Sequence, residues 1–354
     1  MRRLVGLPPA LLREAHVNTP LRELVVFYEG VQHRIWLKLE HHNPTGSIKY
    51  RTAVGLLEAL DAAQPIVPGT RVVESTSGNL GLALAKVLSR FDCQLVAVVD
   101  PKVPDATRKA ISSEGAEVVS VDGMDPHGGY LMTRLAKVEE LRREDPQLRW
   151  ADQYNCPANP RVHRDTTAVE LIRQTNGQVD AILVAVSTGG TLVGISEGVR
   201  AAIPSARIYA VDAQGSFITA NTSEPHLLTG IGATRKSTFL RRHHYHRVLR
   251  TRDVVAFAFC RMLANDTGLA VGGSGGAVLA AFVGEFENEM AGYRCPVAVM
   301  PDGGANYLTT IYRDAWLADR GVLDGVHAVE AAARARGLLF NLAEATGKTA
   351  YGSH

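Results

Sequence analysis

The chain has 354 residues, with 38 lysines and arginines against 36 aspartates and glutamates, a formal charge of +2 at pH 7, and 46% hydrophobic residues. That balance suits a soluble globular protein with one large or two smaller cores, and it excludes a global electrostatic preference for nucleic acid or an anionic membrane. The longest apolar runs, such as 180–187 (DAILVAVS) and 295–300 (CPVAVM), are far too short to span a bilayer and read as buried strands.

The first residues, MRRLVGLPPALLREAH, carry two arginines, but prolines interrupt the apolar stretch, so they read as mature protein rather than a leader. Runs 23–30 and 33–40 predict a hairpin joined at Gly30. A Pro-Gly turn then delivers Lys49 to the first turn of a helix expected to run to about Leu60. From about residue 70, short β-rich runs alternate with amphipathic helical stretches, the signature of βαβ units and a parallel sheet. Strands are expected at Arg71–Glu74, Gln94–Val99, Glu117–Val121, Ala181–Val186, Arg207–Val211 and Val297–Met300. Helices are expected over 79–90, 127–144 and 254–266, and an Ala/Arg-rich helix from about Val326 should end in a frayed polar tail, TGKTAYGSH. The fold class is therefore α/β. No linker rich in Pro, Gly and Ser divides the chain, so its lobes should be interwoven. The four cysteines, Cys93, Cys156, Cys260 and Cys295, lie far apart without paired spacing, which argues against a disulfide framework or a zinc site and for a reducing cytoplasm.

Four short segments carry chemistry. In 43-NPTGSIKYRTA-53, Lys49 sits at the positive end of a helix dipole, which disfavours its ammonium form and makes the amine available as a nucleophile. In isolation it would read as a solvated lysine. The loop 75-STSGNLG-81 lies between a strand and a helix; free N–H groups there, with the hydroxyls of Thr76 and Ser77, the turn at Gly78 and the amide of Asn79, suit a carboxylate. A simple turn capped by Ser and Asn would look the same. In 187-STGGTLVG-194, the backbone of Ser187, Thr188, Gly189, Gly190 and Thr191 can wrap a phosphate. It lacks both the lysine of a nucleotide loop and the spacing of a dinucleotide fingerprint, so a terminal monophosphate fits better than ATP or NAD. Finally, 301-PDGGANYL-308 follows an apolar strand, at the sheet end where ligands of open α/β folds gather, and Asp302 reads equally as a cofactor partner or a helix cap.

Taken in order, 44-PTGSIK-49, 76-TSGN-79, 187-STGGT-191 and 301-PDGGANY-307, with 151-ADQYNCPANPRVH-163, resemble the cysteine synthase family of fold type II pyridoxal-phosphate enzymes over about Thr19 to Asp319. The resemblance implies a tryptophan-synthase-β-like fold of two interwoven lobes. Residues 1–48 and 160–325 would form a large cofactor-binding lobe, 49–159 a small mobile lobe, and 326–354 a C-terminal helix and tail. It further implies that Lys49 carries pyridoxal 5'-phosphate as a Schiff base and then shuttles the substrate's α-proton. Thr76, Ser77, Gly78, Asn79 and Gln153 would bind the substrate carboxylate, with Asn79 also reaching the cofactor ring, and Ser187 to Thr191 would hold its phosphate. An activated serine would lose its β-substituent to give an aminoacrylate that a second nucleophile attacks, in ping-pong order. The partners would be small amino acids, and the assembly a homodimer.

Two departures refine that expectation. The serine that usually touches the pyridine nitrogen is replaced by Gly303, which leaves Asp302 or Ser274 as its partner. Leu80 replaces the threonine common after SGN in sulfhydrylases, removing a hydroxyl and pointing away from sulfide as acceptor. The chain looks most like the branch that makes 2,3-diaminopropionate precursors for siderophores and antibiotics, joining O-phosphoserine to glutamate to give N-(2-amino-2-carboxyethyl)-L-glutamate. A basic segment, 235-RKSTFLRRHHYHR-247, reads either as a receptor for a phosphate or dicarboxylate or as a solvated surface patch. The alternatives are a cysteine synthase using O-acetylserine and sulfide, a serine or threonine dehydratase, and a catalytically silent binding protein.

Overall fold

The computed structural model describes residues 6–8, 11–126, 128–220, 224–286 and 288–343; the polar tail and His127, the first residue of the helix expected at 127–144, lie outside them. The strands are β1 (Leu21–Tyr28), β2 (Val31–Leu39), β3 (Arg71–Ser75), β4 (Gln94–Val99), β5 (Glu117–Ser120), β6 (Arg149–Trp150), β7 (Ala181–Ala185), β8 (Arg207–Ala213), β9 (Arg247–Thr251), β10 (Pro296–Met300) and β11 (Leu339–Leu342). The α-helices are α1 (Lys49–Ala63), α2 (Asn79–Ser89), α3 (Asp105–Ser113), α4 (Leu131–Glu144), α5 (Ala158–Asp165), α6 (Thr167–Gln174), α7 (Gly190–Ala202), α8 (Asp253–Thr267), α9 (Gly273–Gly284), α10 (Asp314–Asp319) and α11 (Leu323–Ala335).

Among the described residues the strands make two sheets, one of seven strands in the order β11-β1-β2-β10-β7-β8-β9 and one of four in the order β5-β4-β3-β6. The smaller is wholly parallel, and in the larger only the β1 pairings, with β2 and β11, are antiparallel. A parallel sheet needs cover on both faces, which is why β7 is apolar throughout instead of alternating. Its Ala181 and Leu183 join a core with Phe257 of α8 and Phe282 of α9, while Ile182 and Val184 face Leu192, Ile195 and Val199 of α7. The small sheet repeats the device: Val72, Leu95 and Ala97 pack on α1 and α2, and Val73, Val96 and Val98 on Val138 of α4.

Three elements differ from the sequence expectation, the first being α4, which starts at Leu131 and not at 127. The C-terminal helix starts at Leu323 and is followed by β11, which pairs with β1 from Leu24 to Phe27. The basic segment ends in β9, at the edge of the large sheet. Both strands are short, and a strand of four or five residues bounded by charge lacks the length from which a period can be read.

The candidate active site

β3, β7 and β10 all end at one cleft, which encloses about 1040 Å³ of space open to solvent. The carboxyl ends of parallel strands leave N–H groups and short loops facing outward, so ligand sites collect there. The cleft is lined by Lys49, the 76–79 loop, Gln153, Ser187 to Gly189 with Thr191, Ser274 and Asp302, so the four motifs meet although they lie up to 250 residues apart. Gly190, Gly303, His41 and His42 are not among its lining residues. Gly303 instead pairs with Val271 and packs toward His41.

Lys49 is fixed from two sides. The Ile48 N–H donates to Pro301 O at 2.8 Å and Ser47 bridges Asp302, which stitches the lysine loop to the loop after β10. The Lys49 N–H donates to Ser47 Oγ at 3.0 Å. Burial pushes the Lys49 amine down to about 8, against the pull of the Glu74 carboxylate. Glu74 is itself fully buried at the end of β3, and burial raises it to about 8 although its Oε2 accepts the Gln153 N–H at 3.2 Å.

The 76–79 loop turns on Gly78, whose φ of +127° is open to glycine and strained for other residues. Thr76 Oγ1 accepts the N–H groups of Gly78 and Gly81, at 3.0 and 2.9 Å, and so caps α2, leaving its own hydroxyl proton to point elsewhere. Ser77 is exposed to the cleft, and Leu80 is a buried part of its wall. Asn79 Nδ2 donates to Asp302 Oδ2 at 2.8 Å. The Tyr307 hydroxyl donates to the same oxygen at 2.6 Å, and Ser274 lines the cleft beside this carboxyl. Ser274 and Asp302, alternatives on sequence grounds, both line the cleft. Burial raises the Asp302 pKa, and its Oδ1 is a buried acceptor with no partner.

The 187–191 loop is held from behind. Asn159 Nδ2 donates to Gln153 O at 2.7 Å and to Thr188 Oγ1 at 3.2 Å, and the Gln153 side chain donates to Ser75 O at 2.8 Å. Any Cβ on Gly190 would collide with Asn159 Oδ1, so glycine is what lets the loop close this tightly. His163, fully buried, lies 3.0 Å from Thr52 Oγ1 and 3.3 Å from Thr191 Oγ1; burial holds its pKa well below the ordinary value, so the ring is neutral. A second recess shares Ser77, Tyr154 and Ser187 with the cleft and contains Arg134 of α4. Arg134 is 6% exposed and forms an ion pair with Asp100, Nε to Oδ2 at 3.2 Å, although neither its Nε nor its Nη1 makes a hydrogen bond. Sequence reasoning missed Arg134 and Glu74, since one arginine in a charged helix and one glutamate before a loop carry no pattern.

These residues fit pyridoxal phosphate. The glycine cradle and the start of α7 offer N–H dipoles to a dianion, Asp302 Oδ1 is an unmatched acceptor suited to a protonated ring nitrogen, and Lys49 offers an amine biased toward its nucleophilic form. All four cysteines are unpaired thiols. Among the described residues no helix is long and apolar enough to cross a membrane.

Comparison with known proteins agrees with this geometry. Residues 12–294 match the pyridoxal-phosphate dependent enzyme family. The N-(2-amino-2-carboxyethyl)-L-glutamate synthase of Ralstonia nicotianae is 37% identical over 301 residues, 85% of this chain and 89% of that protein. The synthase of the same name from Cupriavidus metallidurans is 37% identical over 304 residues, 85% of this chain and 89% of that protein. Among solved structures, O-ureido-L-serine synthase superposes with a TM-score of 0.75 at 29% identity, covering 88% of this chain and 100% of that one. The O-acetylserine dependent cystathionine β-synthase of Helicobacter pylori gives 0.77 at 26% identity, covering 87% and 100%. The architecture is the fold type II arrangement that the motifs imply, and the chain belongs to the pyridoxal-phosphate dependent enzyme family.

Proposed function

We propose that the protein catalyses β-replacement on O-phospho-L-serine with the amino nitrogen of L-glutamate as acceptor, forming N-(2-amino-2-carboxyethyl)-L-glutamate. Two relatives of that name over 85% of the chain support the overall reaction. The observation that carries the choice of first substrate is Arg134: a buried guanidinium with a free Nη1, in a recess continuous with the cleft, is a receptor for an anionic leaving group. O-Acetylserine would leave Nη1 without such a partner, Asp100 being the guanidinium's ion pair on the Nε side.

Pyridoxal phosphate, when bound, supplies an electron sink that acidifies the α-proton of an attached amino acid and labilises its β-substituent. Lys49 would anchor the cofactor and, once displaced by substrate, take the α-proton on Nζ; an amine near 8 switches readily between base and acid at neutral pH. Ser77, Thr76, Asn79 and the start of α2 would hold the substrate carboxylate, and the Gln153 amide, fixed on Ser75 O, would border it. Ser187 to Thr191 would hold the cofactor phosphate. Asp302, backed by Tyr307 and Asn79, would face the ring nitrogen. Arg134, with Tyr154 and Ser187 in the same recess, would receive the phosphate released from the β-carbon. Leu80, where sulfhydrylases commonly carry threonine, removes a hydroxyl from the cleft wall, which supports a non-sulfide acceptor.

Residues 49–159 would move as a lobe against 1–48 and 160–325. Polar contacts that cross between them beside the recess include Lys102 Nζ to His226 O at 3.0 Å, Thr234 Oγ1 to Asp125 Oδ2 at 2.9 Å and Arg235 to Asn155 Oδ1 at 3.3 Å. A homodimer in the cytoplasm is the corresponding expectation from the family.

The test is phosphate release from O-phosphoserine with different acceptors. Glutamate should sustain turnover, with sulfide and buffer alone giving one burst per active site. Sustained turnover with sulfide alone would make the protein a cysteine synthase, and pyruvate without acceptor a dehydratase. R134M should lose activity on O-phosphoserine by roughly 10–150-fold, as expected for a charge-assisted hydrogen bond of about 1.5–3 kcal/mol.

A further inference from the structure

The basic segment 235–247 does not act as one patch. Lys236 lies over the Phe217 ring, 4.9 Å from its centroid. Arg241 donates to the carbonyls of Thr238 and Leu240, in its own turn, and Arg242 covers Tyr245 and donates to its carbonyl. His243 and His244 pack on each other, beside Glu197. Arg235 stands beside the site through a residue that lines it: its guanidinium lies over the Tyr154 ring, 5.4 Å from the centroid, and donates to Asn155 Oδ1 at 3.3 Å. Tyr154 lines both the cleft and the recess, and Thr234, the neighbour of Arg235, lines the recess.

We infer that Arg235 is the specificity-determining residue for the acceptor, binding a carboxylate of the incoming dicarboxylic amino acid at the mouth of the cleft. The inference rests on the β-replacement reading above. Stacking on Tyr154 restricts the guanidinium without consuming its in-plane donors, because cation–π attraction uses the face and carboxylate pairing the edge. The contact with Asn155 is to a neutral amide oxygen, so the positive charge stays uncompensated there. Buried Arg134 suits the small dianion leaving from the reacting carbon, whereas Arg235, half-buried on the far side of Tyr154, would meet the distal end of a longer substrate as its amine reaches inward. One guanidinium for the leaving group and another for the acceptor explains how two acidic substrates use one cleft in turn without competing for one cation.

The test separates the two half-reactions in the cofactor-loaded enzyme. R235A should raise the KM for glutamate by about ten- to a hundredfold, as one carboxylate contact is worth, with kcat reduced much less. The burst of phosphate from O-phosphoserine without acceptor reads the first half-reaction and should keep its amplitude and its O-phosphoserine dependence. R235K should fall between wild type and R235A, since an ammonium keeps the charge without the planar fork. K236A, which removes the adjacent charge outside the cleft, should leave the glutamate KM unchanged. An unchanged glutamate KM in R235A overturns the inference, and so does a change confined to O-phosphoserine, which would assign Arg235 to the leaving group. If wild-type enzyme gives the burst but no glutamate-dependent turnover, it is the acceptor reading itself that has failed.

Discussion

Asn79 Nδ2 and Asp302 Oδ2 are 2.8 Å apart, and this bond ties the loop after β3 in one sheet to the loop after β10 in the other, across the floor of the cleft. It fixes the Asn79 amide with its oxygen toward Asn306, whose Nδ2 donates to it at 3.2 Å, and leaves Asp302 Oδ1 unmatched. D302N keeps an acceptor for Asn79 and Tyr307 but removes the charge. It should retain cofactor while slowing phosphate release by at least about tenfold, the effect of one pKa unit of interaction with the ring. Absorbance and burst kinetics check this; wild-type rates in D302N would pass the ring contact to Ser274.

A Cβ at position 190 has no room beside Asn159 Oδ1. G190A must push Asn159 off Thr188 and Gln153, so overpacking of about 1–3 kcal/mol should appear as cofactor affinity weakened by roughly tenfold or more. Equilibrium dialysis against pyridoxal phosphate measures it, and unaltered affinity would mean that the 187–191 loop does not hold the phosphate.

Two residues beyond Lys49, Arg51 is fully buried between Glu40 (Nε to Oε2, 2.8 Å) and Glu170 (Nη1 to Oε1, 2.7 Å), and Glu170 also takes Lys38 Nζ at 2.6 Å. Burial alone would raise Glu170, yet these cations hold it at about 2. The cluster joins β2, α1 and α6 behind the lysine. E170Q leaves two buried cations with one carboxylate, and should cost about 3–5 kcal/mol in urea unfolding. A loss under about 1 kcal/mol would show that solvent reaches the cluster.

Glu74 gives a pH signature. With its folded pKa near 8 against an ordinary 4.5, the folded state binds the proton more tightly, so stability should fall as pH rises from about 4.5 to 8. Lys49 acts oppositely above that range: its folded value near 8 lies below the ordinary 10.5, so the unfolded chain holds the proton and stability should recover between about 8 and 10.5. E74Q keeps a carbonyl acceptor for the Gln153 N–H but cannot ionise. Melting of the cofactor-free protein across pH should show the falling limb in wild type and not in E74Q, and parallel curves would contradict the assignment.

Much of this site was legible because each motif couples a strand end to a helix start, and both have strong periods. β4 matches its expected limits, and β3, β7, β8 and β10 differ by one or two residues. Gly78 and Gly189, both at positive φ, sit where the loops were expected to turn. What the sequence did not disclose is pairing at a distance. Arg51 and Lys38 look like surface charges until Glu40 and Glu170 fold against them. Which arginine of a basic run packs on a residue of the cleft depends on Tyr154, about eighty residues earlier in the chain. The choice between Ser274 and Asp302 was not legible either, because the fold places both side chains on the wall of one cleft.

The most direct test of the central claim is to supply O-phosphoserine with glutamate labelled at its amino group with nitrogen-15, and to identify the product by mass and nitrogen–carbon coupling. The account predicts a single product in which the label is bonded to the β-carbon of the former serine, formed with one phosphate released per molecule. Unlabelled product, or phosphate release with the label left in free glutamate, would contradict it.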